Sequence, residues 1–178
     1  MIQELYQKAL KYAGEKHRKQ KVPGTDANYL LHLSNVAMEV IMAHKEQPDF
    51  DLGFAVQIAI LHDTIEDTSA TWQEIKELFG EGIANGIEAL TKNETLSSRE
   101  EKMKDSLKRI KPLDKEVGLV KLADRITNLQ PPPKDWDNDK IKRYQAEAKL
   151  ILETLKDKNH YLSNRLEAKI NEYSKFIQ

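Results

Sequence analysis

The stretch Phe54-Ala55-Val56-Gln57-Ile58-Ala59-Ile60-Leu61-His62-Asp63-Thr64-Ile65-Glu66-Asp67 decides how this chain is read. From Phe54 to Leu61 only Gln57 is polar, so a helix over residues 51–63 is apolar almost all round. Such a helix belongs at the centre of a core, because a surface helix keeps one polar face. The run then ends in a histidine, a hydroxyl and three acids. Charge placed beside a core is costly unless it is paired or bound to a cation. The simplest resolution is a divalent metal at the end of that helix.

Outward from this stretch, the rest of the sequence also has helical periodicity and no convincing strand alternation. Leu5, Ala9, Tyr12 and Ala13 predict a helix near residues 3–17. Leu33, Val36, Ala37, Val40 and Ile41 predict another, ending before Pro48. Thr71 with Glu74, and Ser98 with Glu101, are capping-box patterns that start two more, the first stopped by Gly80. A helix over 114–129 carries Leu119, Leu122, Ile126 and Leu129 and is stopped by Pro131-Pro132-Pro133. Two further helices, near 138–156 and 162–177, complete an all-α, single-domain bundle over residues 1–178.

Bulk composition narrows the function. The chain has 178 residues, with 28 basic and 29 acidic side chains and a formal net charge of −1. That balance argues against a dedicated nucleic-acid binder. No apolar run approaches the roughly 20 residues that span a bilayer, and Met1-Ile2-Gln3-Glu4-Leu5 lacks the layout of a signal peptide. The expectation is a cytoplasmic protein with no membrane or nucleic-acid partner; its oligomeric state is left open. There are no cysteines, so any metal must be held by imidazole and carboxylate.

The histidines are His17, His32, His44, His62 and His160. His44 and His160 lie among polar neighbours and read as ordinary surface residues. His62 has Asp63 beside it, and His32 sits in the apolar patch Tyr29-Leu30-Leu31-His32-Leu33, where a buried ring needs a partner. A second polar anomaly is Lys121-Leu122-Ala123-Asp124-Arg125-Ile126-Thr127-Asn128-Leu129. Asp124 and Asn128 are one helical turn apart and share a face. Alone, that face reads as an exposed charged surface with a local Lys–Asp pair. Together, His32, His62, Asp63 and Asp124 form a mixed nitrogen and oxygen set suited to manganese, iron or zinc rather than calcium. On a six-coordinate ion such a set leaves room for water and substrate. Glu66 and Asp67 follow one turn after His62 and Asp63, where they could orient water or act as general base.

At these residues the chain resembles the HD superfamily of metal-dependent phosphohydrolases, and more narrowly the hydrolase domain of RelA/SpoT alarmone enzymes and the stand-alone small alarmone hydrolases. His17-Arg18-Lys19-Gln20, Tyr29-Leu30-Leu31-His32, His62-Asp63-Thr64-Ile65-Glu66-Asp67-Thr68 and Lys121 to Leu129 carry the resemblance, in order, over roughly residues 1–155. It implies a manganese ion on His32, His62, Asp63 and Asp124, with Glu66 and Asp67 activating water. It places Asn128 toward the nucleotide, and Lys140 and Tyr144 near its phosphates. The implied reaction removes the 3′-pyrophosphate from a purine nucleotide such as ppGpp.

One departure concerns recognition. Many family members carry an Arg-Lys pair where this chain has Val22-Pro23. The cations left to meet phosphate are Arg18, Lys19, Lys21, Lys121, Arg125 and Lys140. Discrimination between guanine and adenine is expected to be modest, so that ppGpp and ppApp both react. A synthetase domain, and with it synthesis activity, is not expected. The alternatives are another HD-type phosphohydrolase, such as a nucleotidase or NADPH phosphatase, and a non-catalytic helical module.

Overall fold

The computed structural model describes residues 1–178. Ten α-helices follow one another: α1 Ile2–Lys16, α2 Leu30–Glu46, α3 Leu52–Leu61, α4 Thr64–Asp67, α5 Trp72–Phe79, α6 Glu81–Leu90, α7 Arg99–Ile110, α8 Lys115–Asn128, α9 Asn138–Leu155 and α10 His160–Tyr173. The sole β-type pairing is an isolated bridge between Lys21 and Asn28. The all-α expectation holds. No helix is long and apolar enough to cross a membrane.

Helix starts follow the chemistry of their first residues. Asp51 caps α3 by accepting from Phe54 N at 3.0 Å. Thr71 caps α5, and Ser98 with Glu101 forms a reciprocal capping box on α7. These caps satisfy backbone N–H groups that lack an intrahelical partner.

Two helices are central. α3 packs against α1, α2, α6 and α8, while α8 packs against α2, α3, α9 and α10. In α3, Ala55, Val56, Ile58, Ala59, Ile60 and Leu61 are all fully buried. Burying each larger side chain contributes roughly 1.5–3 kcal/mol relative to exposure. α8 is buried from Glu116 to Ile126, including Lys121, Asp124 and Arg125. The polar face of Lys121-Leu122-Ala123-Asp124 is therefore an interior surface, not a solvated one.

Two features differ from the sequence expectation. The helix predicted over 51–63 ends at Leu61, turns at His62 and Asp63, and resumes for one turn as α4. α6 was not anticipated, because Gly80 reads as a terminator and Gly82 and Gly86 weaken helix propensity. Gly80, at φ 96°, turns the chain directly from α5 into α6. Gly86 lets α6 approach the core closely, since a Cβ there would lie 3.0 Å from Ile58 and 3.2 Å from Val117.

Candidate metal centre

The central helices bring three distant segments to one point. His32 stands in the first turn of α2, His62 ends α3, Asp63 precedes α4, and Asp124 lies on α8. His32, His62 and Asp124 are only 6%, 2% and 7% exposed. His32 Nε2 lies 3.4 Å from His62 Nε2 and 3.4 Å from Asp124 Oδ1. Asp63 Oδ2 lies 3.0 Å from His62 Nε2 and 3.7 Å from His32 Nε2. His62 Nε2 to Asp124 Oδ1 is 3.7 Å.

Ligand bonds of about 2.1 Å give polyhedron edges of roughly 3.0–3.4 Å. The separations of 3.0 and 3.4 Å fit a shared cation, and the two of 3.7 Å lie slightly above that range. The orientation of His62 fits as well. Its Nδ1 donates to Ala59 O at 2.8 Å, which leaves the Nε2 lone pair pointing into the cluster. His32, His62 and Asp124 form the mutually close group able to hold an ion, and Asp63 reaches that group through the two rings.

Electrostatics agree with a cluster built around positive charge. Burial lowers the proton affinity of His62, but Asp63 and Asp124 outweigh it and leave the ring well above its ordinary pKa. Burial raises Asp63, yet His62 beside it takes it below the ordinary carboxylate range. For Asp124 burial again raises, while Lys121 and both histidines pull it well below that range. A proton on His62 and a divalent ion thus compete for one role.

Outer partners fix the candidate ligands. Tyr29 Oη donates to Asp63 Oδ2 at 2.5 Å. Burial and then Asp63 push the Tyr29 hydroxyl far up, so it stays a donor. Asp124 accepts from Asn128 Nδ2 on one oxygen and from Lys121 Nζ, at 3.3 Å, on the other.

Glu66 and Asp67 lie on α4, directly beyond Asp63, held by the bond from Asp67 N to Asp63 O at 2.9 Å. Each acid has its own partner. Lys92 donates to Glu66 twice, from its backbone N to Oε2 at 2.9 Å and from Nζ to Oε1. Gln20 Nε2 donates to Asp67 Oδ2 at 2.8 Å. Lys92 escapes the sequence because it lies 26 positions after Glu66 and in no recognisable motif. Burial disfavours its charge, but Glu66, with Asp63 and Asp124 behind it, raises its pKa.

The proposed substrate contacts fall in separate places. His32 and Asn128 line a cleft of about 430 Å³ together with Val22, Pro23, Trp136 and Tyr144. Arg18 and Lys19 line a smaller polar recess with Gln20, Asp67 and Thr68. Lys21 is exposed and pairs with Asp26 at 2.6 Å. Lys121 is buried against Asp124. Arg125 is buried, pairs with Glu147 at 3.3 Å and stacks on Tyr144 at 4.4 Å. Lys140 lies over the Trp136 ring at the surface. Of the bland histidines, His160 is exposed, whereas His44 packs edge-on against Phe50.

Known proteins resemble this chain. A family model described as HD domain matches residues 9–158. A guanosine-3′,5′-bis(diphosphate) 3′-pyrophosphohydrolase from Xenopus tropicalis is 31% identical, with 89% of each chain covered. A protein of the same description from Aquifex aeolicus is 37% identical over 71% of this chain, but only 18% of its own length is covered. The solved structure of a metazoan ortholog of SpoT, described as hydrolysing ppGpp, superposes with a TM-score of 0.78 at 26% identity, covering 96% and 94% of the two chains. With a family model spanning most of its length and a relative matched nearly end to end, this chain belongs to the HD-domain family.

Proposed function

We propose that this protein is a cytoplasmic, metal-dependent hydrolase that removes the 3′-pyrophosphate of alarmone nucleotides such as ppGpp. The observation that carries this reading is the convergence of His32, His62 and Asp124 within 4.8 Å of one another, with two further acids one turn away. A site that merely bound a structural ion would have no use for Glu66 and Asp67. The likeness to named ppGpp hydrolases over nearly the whole chain supports the substrate class.

His32, His62, Asp63 and Asp124 would hold the ion; their mixed donors suit manganese, iron or zinc, and the resemblance to alarmone hydrolases favours manganese. Bound there, a divalent cation supplies Lewis acidity toward a phosphoryl oxygen and toward water. Asp67 accepts the proton of the attacking water through Oδ1, the oxygen that Gln20 leaves free. Glu66, its oxygens gripped by Lys92, fixes the direction from which water approaches. Water oxygen bonds to the phosphorus attached to the 3′ oxygen, the 3′ O–P bond breaks, and the departing 3′ oxygen takes up a proton. Asn128 and Tyr144 form part of the cleft wall beside His32, where the nucleoside would lie. Arg18 and Lys19, in the recess beside Asp67, would meet the phosphates.

Turnover of ppGpp by purified protein with manganese tests this. The expected products are GDP and pyrophosphate, and ADP and pyrophosphate from ppApp. The Val22-Pro23 wall keeps a second reading open, another HD-type phosphohydrolase. Release of single phosphate, or turnover of NADPH with neither alarmone touched, would favour it.

A further inference from the structure

We infer that His17, acting through Gln20, is a positioning residue that fixes the carboxylate of Asp67. This rests on the proposed role of Asp67 as proton acceptor. The geometry carries it in three steps. A carboxylate only accepts, so the Gln20 atom 2.8 Å from Asp67 Oδ2 must be the amide nitrogen. The amide oxygen is then turned the other way, 2.6 Å from His17 Nδ1. An amide oxygen also only accepts, so His17 Nδ1 must carry the hydrogen.

His17 is built to hold that direction. It closes α1, its backbone N bonded to Ala13 O at 2.8 Å, and it is 1% exposed. Its ring stacks on Tyr29 with centroids 5.1 Å apart. Its Nε2 is buried without a partner, so no other contact competes to set the tautomer. Tyr29 in turn donates to Asp63. One buried ring thus underlies the contacts of a metal-ligand candidate and of the proton acceptor.

The device is a polarity lock. Asn and Gln amides have nearly the same shape when turned by 180°, so sterics alone cannot choose which end faces Asp67. With the His17 donor removed, the amide oxygen loses its anchor, and Gln20 can leave Asp67 or reach it from another direction. The acceptor then loses its fixed position, while the metal ligands keep theirs.

The test uses the metal-loaded, full-length protein with ppGpp. Gln20→Met keeps the shape and removes the amide; His17→Phe keeps the stack and removes the donor. Each should lower kcat about 10- to 100-fold, the usual effect of losing an outer partner of a site. KM, bound metal and melting temperature should stay close to wild type. The two losses should not add: in the Gln20→Met background, His17→Phe should cost nothing further. In zinc-loaded protein, nitrogen-15 spectra should show His17 protonated on Nδ1. Additive losses, a fall in bound metal matching the fall in kcat, or a proton on Nε2 would overturn the inference. Failure of the wild type to hydrolyse ppGpp would instead count against the proposed substrate, and the His17 tautomer would still decide this inference, Nδ1 upholding it and Nε2 overturning it.

Discussion

The candidate metal centre and the cleft beside it share His32 but are built differently. The centre is made by central helices, and His32, His62 and Asp124 are all buried with partners on several sides. The cleft is walled largely by connecting segments, Val22 and Pro23 on one side and Gln130 to Pro133 on another. Among its lining residues there is no lysine, arginine, aspartate or glutamate. The recess beside Asp67, by contrast, is lined by Lys16, Arg18 and Lys19. On the proposed function, chemistry is fixed by the core, where a change disturbs packing, and recognition is left to loops, which vary at little cost. Substitutions at the centre should abolish function, and those in the cleft should only retune it.

The largest effect should come from the ligands. His62→Ala and Asp124→Ala should each lose bound manganese and reduce turnover to background. Melting temperature should also fall toward that of metal-free protein, because an ion bound only by the folded state stabilises it. Full metal content in both variants would break the assignment.

Next come the acids that touch no ligand ring. Glu66→Gln and Asp67→Asn keep size and polarity but remove, respectively, the carboxylate that orients water and the proton acceptor, and kcat should fall by about 10²–10⁴-fold with metal retained. Metal loss in Glu66→Gln would make Glu66 a ligand instead.

The same division governs what could be read in advance. His62-Asp63 was legible because it ends an apolar run, where an unpaired charge has no bland explanation. Asp124 was legible mainly through its motif; its face looked solvent-exposed because Lys121 and Arg125 flank it. Both cations are buried and paired, with Asp124 and Glu147, and only three-dimensional packing brings Glu147 there. Lys92 and Gln20 reach Glu66 and Asp67 across 26 and 47 positions, with no periodicity linking them. α6 was hidden by its glycines, whose reason is the tight contact of Gly86 with Ile58 and Val117.

A pH series sharpens the account of the centre. His62 is raised in the folded, metal-free protein, so its contribution to stability is full below the unfolded pKa near 6.5 and is lost as pH rises through the folded value. Asp63 and Asp124 are depressed, and their contribution is lost only in acid, as pH falls through their folded values. Metal must displace the His62 proton, so its affinity should rise with pH and binding should release protons. From pH 6 to 8.5 this centre should therefore lower the stability of metal-free protein and raise it at limiting metal. Melting curves with and without chelator check this; parallel slopes would mean that His62 is not the competing group.

The smallest effect belongs to the cleft. Val22→Arg with Pro23→Lys restores the basic pair common among the proteins this chain resembles. The site is tolerant: Val22 is partly exposed, Pro23 is exposed, and the loop is held by Val22 N to Ala27 O at 2.9 Å, a bond that neither side chain makes. Stability should stay within about 0.5 kcal/mol, as for most surface changes. The new cations would act on the bound nucleotide and on the transition state alike, which lowers KM and leaves kcat unchanged. A surface charge pair contributes about 1 kcal/mol at most, so the two new cations should lower KM by no more than roughly 30-fold, and less at high salt. The ratio of ppGpp to ppApp turnover is the sharper reading. If the present wall selects purines chiefly by shape, the two substrates should now differ within about 1–3 kcal/mol, with the double variant shifting that difference. A kcat change of tenfold or more would show that the cleft is coupled to the chemistry after all, and that core and loops do not divide the work.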